Sequence, residues 1–284
     1  MAVYEELHFT KAAEKLGISQ PTLSQQIRVL EDELGMPLFD RIGKKIVVTE
    51  AGSLLFSYTT EVFNTLQNVK DSIKDLQGLQ GGQISIGIMP SDLDYRITQL
   101  VIDFHQKFPK VKLKILASID IMRQVLENEV DIGIGTNVES DDRLVIIPLC
   151  REEYVLTVSK EHPLAQQTVI PIAELEGLPM VMYPEGFLGR EIVEEAVKKH
   201  GFHIHSILET SSVTSIMNLV RANIGVTVQP YPLLQQMNDP SLCSIRISNG
   251  APSRSLSIIF RVDRYVSQAT TAMIEQIKHY FKSK

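Results

Sequence analysis

Residues 17–31 read G-I-S-Q-P-T-L-S-Q-Q-I-R-V-L-E and predict a helix with an unusually polar beginning. Ser19 is a good N-cap residue, and Pro21 falls in the first turn, where its missing N–H is no loss. Apolar residues at helical spacing give the helix one buried face; they are Leu23, Ile27, Leu30 and Leu34. The start of the helix therefore offers hydroxyl and amide groups that donate and accept hydrogen bonds, which suits contact with a polar surface.

The segments on either side of this helix predict a helix-turn-helix with a wing. Ala12, Ala13 and Leu16 recur at helical spacing before a turn at Gly17. A helix, a short glycine-containing turn and a second helix form a helix-turn-helix. Beyond it, apolar residues flank R-I-G-K-K at 41–45, which predicts a short β-hairpin with a basic tip.

Composition and charge bound the class of protein. The 284 residues, 44% hydrophobic and 22% charged, suit two or three folded units and not a disordered chain. The formal net charge is −6, and residues 1–50 carry six basic against eight acidic side chains, so nucleic-acid binding has to use a local basic patch. No apolar run is long enough to span a bilayer, and the N-terminus does not resemble a signal peptide. Two cysteines, Cys150 and Cys243, without a CxxC spacing indicate reduced thiols and a cytoplasmic protein.

A long amphipathic helix is predicted over residues 50–77. Its apolar seam recurs every three or four positions: Leu55, Tyr58, Val62, Leu66, Val69, Ile73 and Leu76. We expect this seam to pair with a second copy of the chain, the alternative being packing against its own domain. Gly78, Gly81 and Gly82 then predict a hinge.

From residue 83 onward, strand and helix patterns alternate. Buried-strand patterns at 84–89, 112–116 and 131–135 are separated by helical segments, which predicts βαβ units and a mostly parallel sheet. The strand at 153–159 leads into a second set of strands and helices, and the final helix near 267–281 returns to the first. We therefore predict the α/β fold class with two lobes. Two lobes joined by crossing strands leave a cleft between them, and clefts of this kind bind small molecules.

Together these residues resemble the LysR-type transcriptional regulators, over essentially the whole chain. The resemblance rests on A-A-E-K-L-G-I-S-Q-P-T-L-S-Q-Q-I-R-V-L-E-D-E-L-G-M-P-L-F-D-R at 12–41, followed by T-E-A-G at 49–52. Weaker support comes from V-D-I-G-I (130–134), H-P-L-A (162–165) and N-L-V-R-A-N-I-G-V (218–226). In the last of these, Asn223 stands where the family more often has Gly.

The resemblance implies a winged helix-turn-helix, a linker helix and two lobes that resemble a periplasmic binding protein. The implied divisions are 1–50 for the DNA-binding domain, 51–82 for the dimerisation helix and hinge, and 83–284 for the effector-binding domain. Within the last, lobe I takes 83–157 plus 263–284, and lobe II takes 158–262. The implied function is a sequence-specific transcriptional regulator, not an enzyme, that forms a homodimer assembling to a homotetramer and binds promoter DNA. A small-molecule co-inducer bound between the lobes modulates the binding or the bending of that DNA. No cofactor is required, and RNA polymerase is a further candidate partner.

The beginning of the chain departs from the family pattern. There, an apolar first helix normally begins several residues before the position at which Met1 stands. We therefore expect a first helix that is cut short, through a shortened chain or a misassigned start codon, and a small helical core that lacks part of its packing. The lobes beyond residue 83 should be unaffected.

The first turns of the helix that Ser19 caps, together with the wing, present candidate DNA contacts. This end of the second helix enters the major groove in helix-turn-helix proteins. There Gln can pair with adenine, Ser can contact either base edge, and Pro or Thr can pack on a thymine methyl group, whereas basic residues suit phosphate. The candidates are Gln20, Pro21, Thr22, Ser24, Gln25, Arg28, Arg41, Lys44 and Lys45. The alternative is a solvated helix face and hairpin tip.

Small hydroxyl residues at strand-to-helix junctions predict an effector site in the cleft. Ser91 and Ser118 can each cap a helix whose N–H groups and dipole favour an anion, although simple capping is the alternative. With the second lobe, the effector-binding candidates are Ser91, Ser118, Gly186, Phe187, Val226 and Thr227. Arg96, Arg123 and Arg190 could pair with a carboxylate or lie on the surface. We expect an anionic or polar metabolite.

Two other classes of protein fit parts of the sequence. No GxSxG, HExxH or phosphate-loop spacing occurs, and residues 133–135 lack the third glycine of a dinucleotide fingerprint, which argues against an enzyme. His200, His203 and His205 invite a zinc site, but no Cys or fourth ligand lies nearby in sequence, so we expect no metal. A solute-binding protein for transport fits the lobes, but not the segment 19–34.

Overall fold

The computed structural model describes residues 1–42, 45–76 and 82–282. The chain forms two compact units, Met1–Ile73 and Lys74–Lys284. Within the described ranges, no helix is both long and apolar enough to cross a membrane.

The first unit contains the predicted helix-turn-helix, hairpin and long helix. Its elements are α1 (Ala2–Glu6), α2 (Phe9–Leu16), α3 (Gln20–Leu34), β1 (Phe39–Ile42), β2 (Lys45–Val48) and α4 (Glu50–Leu76). The N-cap prediction is confirmed, since the Ser19 hydroxyl accepts a hydrogen bond from the Thr22 backbone N–H at 3.3 Å. Gly17 and Gly35 end α2 and α3 with φ of 69° and 71°, a left-handed backbone that glycine adopts without strain.

A small core joins α1, α2 and α3. Its buried residues are Val3, Ala12, Ala13 and Leu23, with Ile27 packed against them. The predicted apolar face of α3 extends beyond this core, because Leu34 at its far end is 49% exposed. The last turn of α3 is therefore open to solvent at Leu34.

The long helix α4 spans 27 residues and exposes most of the predicted seam, although Leu55 is half-buried. Its exposed apolar residues are Leu54, Tyr58, Val62, Phe63, Leu66, Val69 and Ile73. Elsewhere on α4, Phe56 stacks on Tyr4 of α1 with ring centres 3.7 Å apart. The predicted hinge glycines Gly78 and Gly81 lie outside the described residues.

The second unit is a mixed α/β structure. Its strands are β3 (Gly82–Ile88), β4 (Val111–Ala117), β5 (Ile132–Thr136), β6 (Leu144–Ser159), β7 (Val169–Pro171), β8 (Met180–Met182), β9 (Ser206–Glu209), β10 (Thr227–Pro230), β11 (Leu242–Ser248) and β12 (Ser253–Arg261). Its helices are α5 (Pro90–Asp92), which continues through a π-helical turn (Leu93–Ile97) into α6 (Thr98–Lys107), then α7 (Ile121–Leu126), α8 (Leu188–Lys198), α9 (Val213–Arg221), α10 (Tyr231–Met237) and α11 (Gln268–Lys282). Short 3₁₀ turns follow β6 and β7 at Pro163–Gln166 and Ile172–Leu175.

One long strand, β6, connects two lobes. The sheet order is β4-β3-β5-β12-β6-β11-β7, and β10 also pairs with β6. The first half of β6 pairs with β12, and its second half pairs with β10 and β11. The prediction of a mostly parallel sheet is wrong, because β12 runs back along β6 and the pairs around β6 and β12 are antiparallel. Parallel pairing is found at β4-β3-β5, β7-β11 and β8-β9.

Each lobe has its own core. Strands β3 to β5 pack with β12, α6 and α11 in lobe I, and β6, β8, β10 and β11 pack with α8 in lobe II. The expected boundary at residue 262 needs a correction, because β12 pairs with β5 of lobe I from Leu256 onward. The return to lobe I thus occurs within β12, from Leu256 onward.

Candidate functional site

Polar side chains gather at the N-terminal end of α3. Gln20 Nε2 donates a hydrogen bond to Ser24 Oγ at 2.7 Å, and the Ser19 and Thr22 hydroxyl oxygens also lie 2.7 Å apart. The predicted contact residues share this end: Pro21, Thr22, Gln25 and Arg28 are exposed, and Gln20 and Ser24 are half-buried. Because residues four apart lie on one helix face, the Gln20–Ser24 bond holds a preformed polar edge at the surface.

Glu31 of α3 positions the hairpin. Its Oε1 accepts hydrogen bonds from the backbone N–H groups of Leu38 at 2.7 Å and Phe39 at 3.3 Å. Bonds from N–H groups to a carboxylate are charge-assisted and comparatively strong. Glu31 therefore fixes where β1 begins relative to α3. The sequence analysis missed this role, since an acidic residue on a helix surface gives no sign of its partner.

The T-E-A-G motif joins the hairpin to α4. Thr49 Oγ1 donates to the Pro37 carbonyl oxygen at 2.7 Å and accepts from the Gly52 N–H at 3.0 Å. A Cβ atom at Gly52 would lie 2.1 Å from the Leu38 carbonyl oxygen, so a larger residue would push the two segments apart. The motif thus packs the first turn of α4 closely against the segment that precedes β1.

For the basic hairpin residues Arg41 and Lys45, the structure describes the backbone positions in the two strands. In the antiparallel pair β1-β2, Arg41 is opposite Ile46, and Ile42 is opposite Lys45. Lys44 lies outside the described residues. The phosphate contacts expected of Arg41, Lys44 and Lys45 stay a prediction.

A cavity of about 280 Å³ lies between the two lobes of the second unit. Lobe I contributes Met89, Ser91 and Thr136 to its wall, and lobe II contributes Tyr183, Phe187 and Val213. Apolar side chains with a few polar groups are typical of small-molecule sites.

Arg254 in the cavity wall belongs to a buried ionic cluster. Arg254, 4% exposed, donates from Nη1 and Nη2 to the two carboxylate oxygens of Asp92 at 3.0 and 2.5 Å, and from Nε to Glu152 Oε2 at 2.9 Å. Glu152 also pairs with Arg96, whose guanidinium lies 4.4 Å from the ring centre of Phe281. Burial lowers the pKa of Arg96. The two arginines and two carboxylates balance, so the charge of Arg254 is already compensated.

Two tyrosines supply neutral hydroxyl groups to the wall. Burial raises the pKa of Tyr154 to about 12 and also raises the pKa of Tyr183, so both phenols stay protonated at neutral pH. Ser91 of lobe I shares this wall with Tyr183 of lobe II. The Tyr183 ring stacks on that of Phe187, with centres 5.7 Å apart and planes 1° from parallel.

Helices α8 and α9 both begin at the cavity. Leu188 and Val213, their first residues, are in the wall, and the first N–H groups of a helix have no acceptor within it. The Ser212 hydroxyl accepts from the Ser215 N–H at 3.3 Å, whereas α8 has no side-chain cap. A helix N-terminus stabilises an anion by about 0.3–1 kcal/mol, but a buried ion loses several kcal/mol of hydration. These two N-termini therefore supply hydrogen-bond donors without replacing a counterion.

Only part of the predicted effector set lines the cavity. Ser91 and Phe187 are in the wall. Val226 and Thr227 are fully buried in lobe II, because β10 pairs with β6 in the sheet. Gly186 lies before α8 with φ of 82° and is outside the wall.

The prediction that Ser91 and Ser118 cap helices is wrong. Met89 stands at the N-cap position of α5, which has no side-chain cap. Asp120 caps α7, and the Ser118 hydroxyl accepts a hydrogen bond from the Asp120 N–H at 3.0 Å. Ser118 thus supports the turn before α7 and is not in the cavity wall.

The three arginines considered for a carboxylate effector bind carboxylates of the chain itself. Arg96 belongs to the buried cluster, and Arg123 pairs with surface acidic residues. Arg190 binds Glu194 at 2.6 Å and Glu209 at 2.5 Å. None of the three is in the cavity wall.

Several wall residues escaped the sequence analysis: Tyr154, Tyr183, Gln229 and Arg254. The pattern R-S-L-S-I-I-F at 254–260 held one usable signal. A charged residue at the start of a buried strand needs a partner, because an unpaired buried charge is costly. Arg254 could have been singled out on that ground, but Asp92 as its partner could not.

The histidine group and the two cysteines lie outside the cavity wall. Over the described residues, no three His, Cys, Asp or Glu side chains are grouped as metal ligands. His200 Nδ1 lies 3.0 Å from the Ala196 carbonyl oxygen. Cys150 and Cys243 are free thiols.

Comparisons with protein families cover both units. Residues 1–53 match the model described as bacterial regulatory helix-turn-helix protein, lysR family, and residues 77–282 match the LysR substrate binding domain. A probable RuBisCO transcriptional regulator of Cyanophora paradoxa is 32% identical over 99% of this chain and 89% of that protein. The DNA-binding transcriptional dual regulator OxyR of Escherichia coli is 29% identical over 92% of this chain and 87% of that protein.

Solved structures share the fold. A full-length OxyR variant of Pseudomonas aeruginosa has a TM-score of 0.76 at 23% identity, over 99% of this chain and 91% of that one. Full-length CbnR in complex with its target DNA has a TM-score of 0.71 at 19% identity, over 98% of this chain and 96% of that one.

Proposed function

The chain belongs to the LysR family of bacterial transcriptional regulators, and on that premise we propose that α3 reads promoter DNA under the control of a small molecule bound between the lobes. Regulators of this family combine a DNA-binding helix-turn-helix with an effector-binding domain and are not enzymes. The family assignment does not support the alternative of a solute-binding protein for transport. A promoter-binding role places the protein with the chromosome, in the cytoplasm.

The observation that carries the DNA-binding proposal is the polar edge of α3. Ser24 and Gln25 stand on the first turns of a helix whose start is capped and contains Pro21. Gln25 is exposed, and the Gln20–Ser24 hydrogen bond fixes the neighbouring side chains. Each base contact is worth about 1–3 kcal/mol of discrimination. Phosphate contacts from Arg28, Arg41, Lys44 and Lys45 would add affinity without sequence preference.

The test is a gel-shift titration of the region upstream of the chain's own coding sequence. The variant Ser24→Ala/Gln25→Ala should bind this DNA at least about tenfold more weakly, while its non-specific binding to unrelated DNA changes little. Gln26→Ala is the matched control, because Gln26 is exposed and adjacent on the same helix. Undiminished binding by the double variant, with Gln26→Ala equally normal, would contradict the assignment of α3.

The wider organisation that we propose follows the predicted divisions: 1–50 for DNA binding, 51–82 for dimerisation and hinge, and 83–284 for effector binding. The exposed seam of α4 supports a homodimer, since contiguous exposed apolar surface marks an interaction site. Two such dimers would form the homotetramer. The effector would bind in the cavity beside Ser91 and Phe187 and change the relation of the lobes, and RNA polymerase is a candidate further partner at the promoter.

A further inference from the structure

We propose that the effector is a single-ring aromatic compound with one or two short, uncharged polar groups. This inference rests on the proposal that the cavity between the lobes is the effector site. It replaces the broader expectation of an anionic or polar metabolite with one chemical class.

The size of the cavity sets the first limit. Its volume of about 280 Å³ is roughly twice the 150 Å³ of an engineered apolar cavity that binds benzene. One ring with a short substituent fits this space, whereas a nucleotide, a peptide or a two-ring compound with side chains does not.

The shape of the wall favours a flat ring. Tyr183 and Phe187 present two stacked and nearly parallel rings, and Ile119, Leu188 and Val213 add aliphatic surface around the same space. Aromatic rings gain from stacked or edge-to-face contact with other rings in addition to the area they bury. A sugar or another compound rich in hydroxyl groups would leave most of its hydrogen bonds unmade against such a wall.

The charges of the wall exclude a carboxylate. Arg254 is the one cationic residue in the wall as the structure describes it, and its guanidinium is bound by Asp92 and Glu152. The wall also contains Asp94, an exposed acidic residue. A ligand carboxylate would lose its hydration, meet no uncompensated cation and be repelled by Asp94.

Uncharged polar groups find partners in the same wall. The phenols of Tyr154 and Tyr183 stay protonated, and Ser91, Thr136 and Gln229 contribute further hydrogen-bonding groups. A hydroxyl, carbonyl or amide on the ring could therefore be bound without an ion pair. Hydrogen-bond complementarity of this kind fixes the orientation of a small ligand.

Benzamide and benzoate form a sharp test, because they have nearly the same size and shape and differ in charge at neutral pH. Both are titrated against the full chain, with binding measured by calorimetry and by thermal shift. Phenol and benzyl alcohol serve as further neutral rings, and hexanamide as a ringless amide. We expect the best neutral ring to bind at least about tenfold more tightly than benzoate and hexanamide. Tighter binding of benzoate or hexanamide, or no binding by any ring compound at millimolar concentration, overturns the inference.

Two tryptophan variants locate the binding. Ile119→Trp fills the cavity from its rim, since Ile119 is 51% exposed and lies in the wall. Ile224→Trp is the matched control, because Ile224 is 50% exposed and outside the wall. The neutral ring should lose at least about tenfold in affinity for Ile119→Trp and bind Ile224→Trp normally. Equal binding to both variants places the ring elsewhere and overturns the inference.

A charge variant tests the reason for the preference. Asp94→Asn removes the wall carboxylate and should narrow the benzamide-over-benzoate preference, with Asp103→Asn on the exposed side of α6 as control. An unchanged preference in Asp94→Asn contradicts the role given to this carboxylate. Failure of the ligand class can be distinguished from failure of the proposed DNA binding, because the Ser24→Ala/Gln25→Ala experiment needs no ligand. A ring that binds in the cavity without altering promoter binding refutes the claim that it is the effector and leaves the DNA-binding proposal in place.

Discussion

Arg254, in the wall of the cavity between the lobes, forms a two-point ion pair with Asp92, which lies 162 residues before it in the chain. The pair joins β12, the strand that returns from lobe II, to the short helix that follows β3. Glu152 on β6, the strand that connects the lobes, binds the third side of the same guanidinium. The cluster thus ties together the elements that cross between lobes, and it does so with its charge already neutralised.

Replacement of Arg254 should destabilise the second unit strongly. In Arg254→Met, Asp92 and Glu152 stay buried without the partner, and breaking a buried pair in this way costs about 3–5 kcal/mol. For a unit of this size we expect the Tm to fall by about 6–20 °C in calorimetry. Arg246→Met is the matched control, because Arg246 is exposed and its ion pair with Glu153 is long, at 4.0 Å. The free energy of unfolding of this variant should change by no more than about 1 kcal/mol. Equal stability of the two variants would contradict the importance given to the cluster.

Local sequence signals predicted the first unit well. The Ser19 cap, the turn glycines and the long α4 follow from capping preference, backbone freedom and helical period, all of which act over a few residues. Asn223 belongs to the same class of signal: it stands where the family more often has Gly, and its φ of 57° is a left-handed backbone that Asn tolerates. The capping and turn predictions for the first unit were therefore confirmed.

Prediction of the cavity residues would have required knowledge of contacts between distant parts of the chain, which local sequence patterns do not contain. Tyr183 and Ser91 reach the same wall from different lobes, and Arg254 and Asp92 come together only because β12 runs back along β6. Serine placed just before a helical pattern suggested capping, but the true N-cap position of α5 is Met89 and that of α7 is Asp120. Antiparallel pairing around β6 was missed for the same reason: periodicity predicts a strand but not its neighbour.

Alkaline pH should destabilise the folded chain through Tyr154. Its pKa is raised to about 12 by burial, whereas a phenol in the unfolded chain titrates near 10. Between these values the unfolded state loses the proton first, so stability is fully present below about pH 10 and falls as the pH rises toward 12. Urea denaturation at a series of pH values measures this slope. Tyr154→Phe should have a shallower slope than the parent chain, and an unchanged slope would show that other groups dominate.

Wing lysines should act through phosphate and not through base identity. Lys45 lies in β2 of a hairpin that is expected to follow the DNA backbone. Lys45→Ala should weaken binding about equally on specific and unrelated DNA, and the slope of log affinity against log salt should become shallower by about 1. Lys112→Ala, an exposed lysine of the second unit, should leave the slope unaltered. A sequence-dependent effect of Lys45→Ala would instead indicate base contact.

A charge placed in the apolar seam of α4 should separate the chains. Leu66 is exposed and lies one helical turn from Val62 and Val69 and two turns from Tyr58 along the seam. Leu66→Glu would therefore bury a carboxylate at the proposed interface. We expect light scattering after size exclusion to give the mass of one chain, 31.9 kDa, at concentrations where the parent chain is a dimer or tetramer. Ser57→Glu adds the same charge at an exposed position of α4 outside the predicted seam and should leave the assembly intact.

Because the affinity for a two-part operator depends on two linked helix-turn-helix units, Leu66→Glu should also bind promoter DNA more weakly, even with an intact α3. A Leu66→Glu protein that keeps both its assembly and its DNA affinity would rule out the seam as the dimer interface.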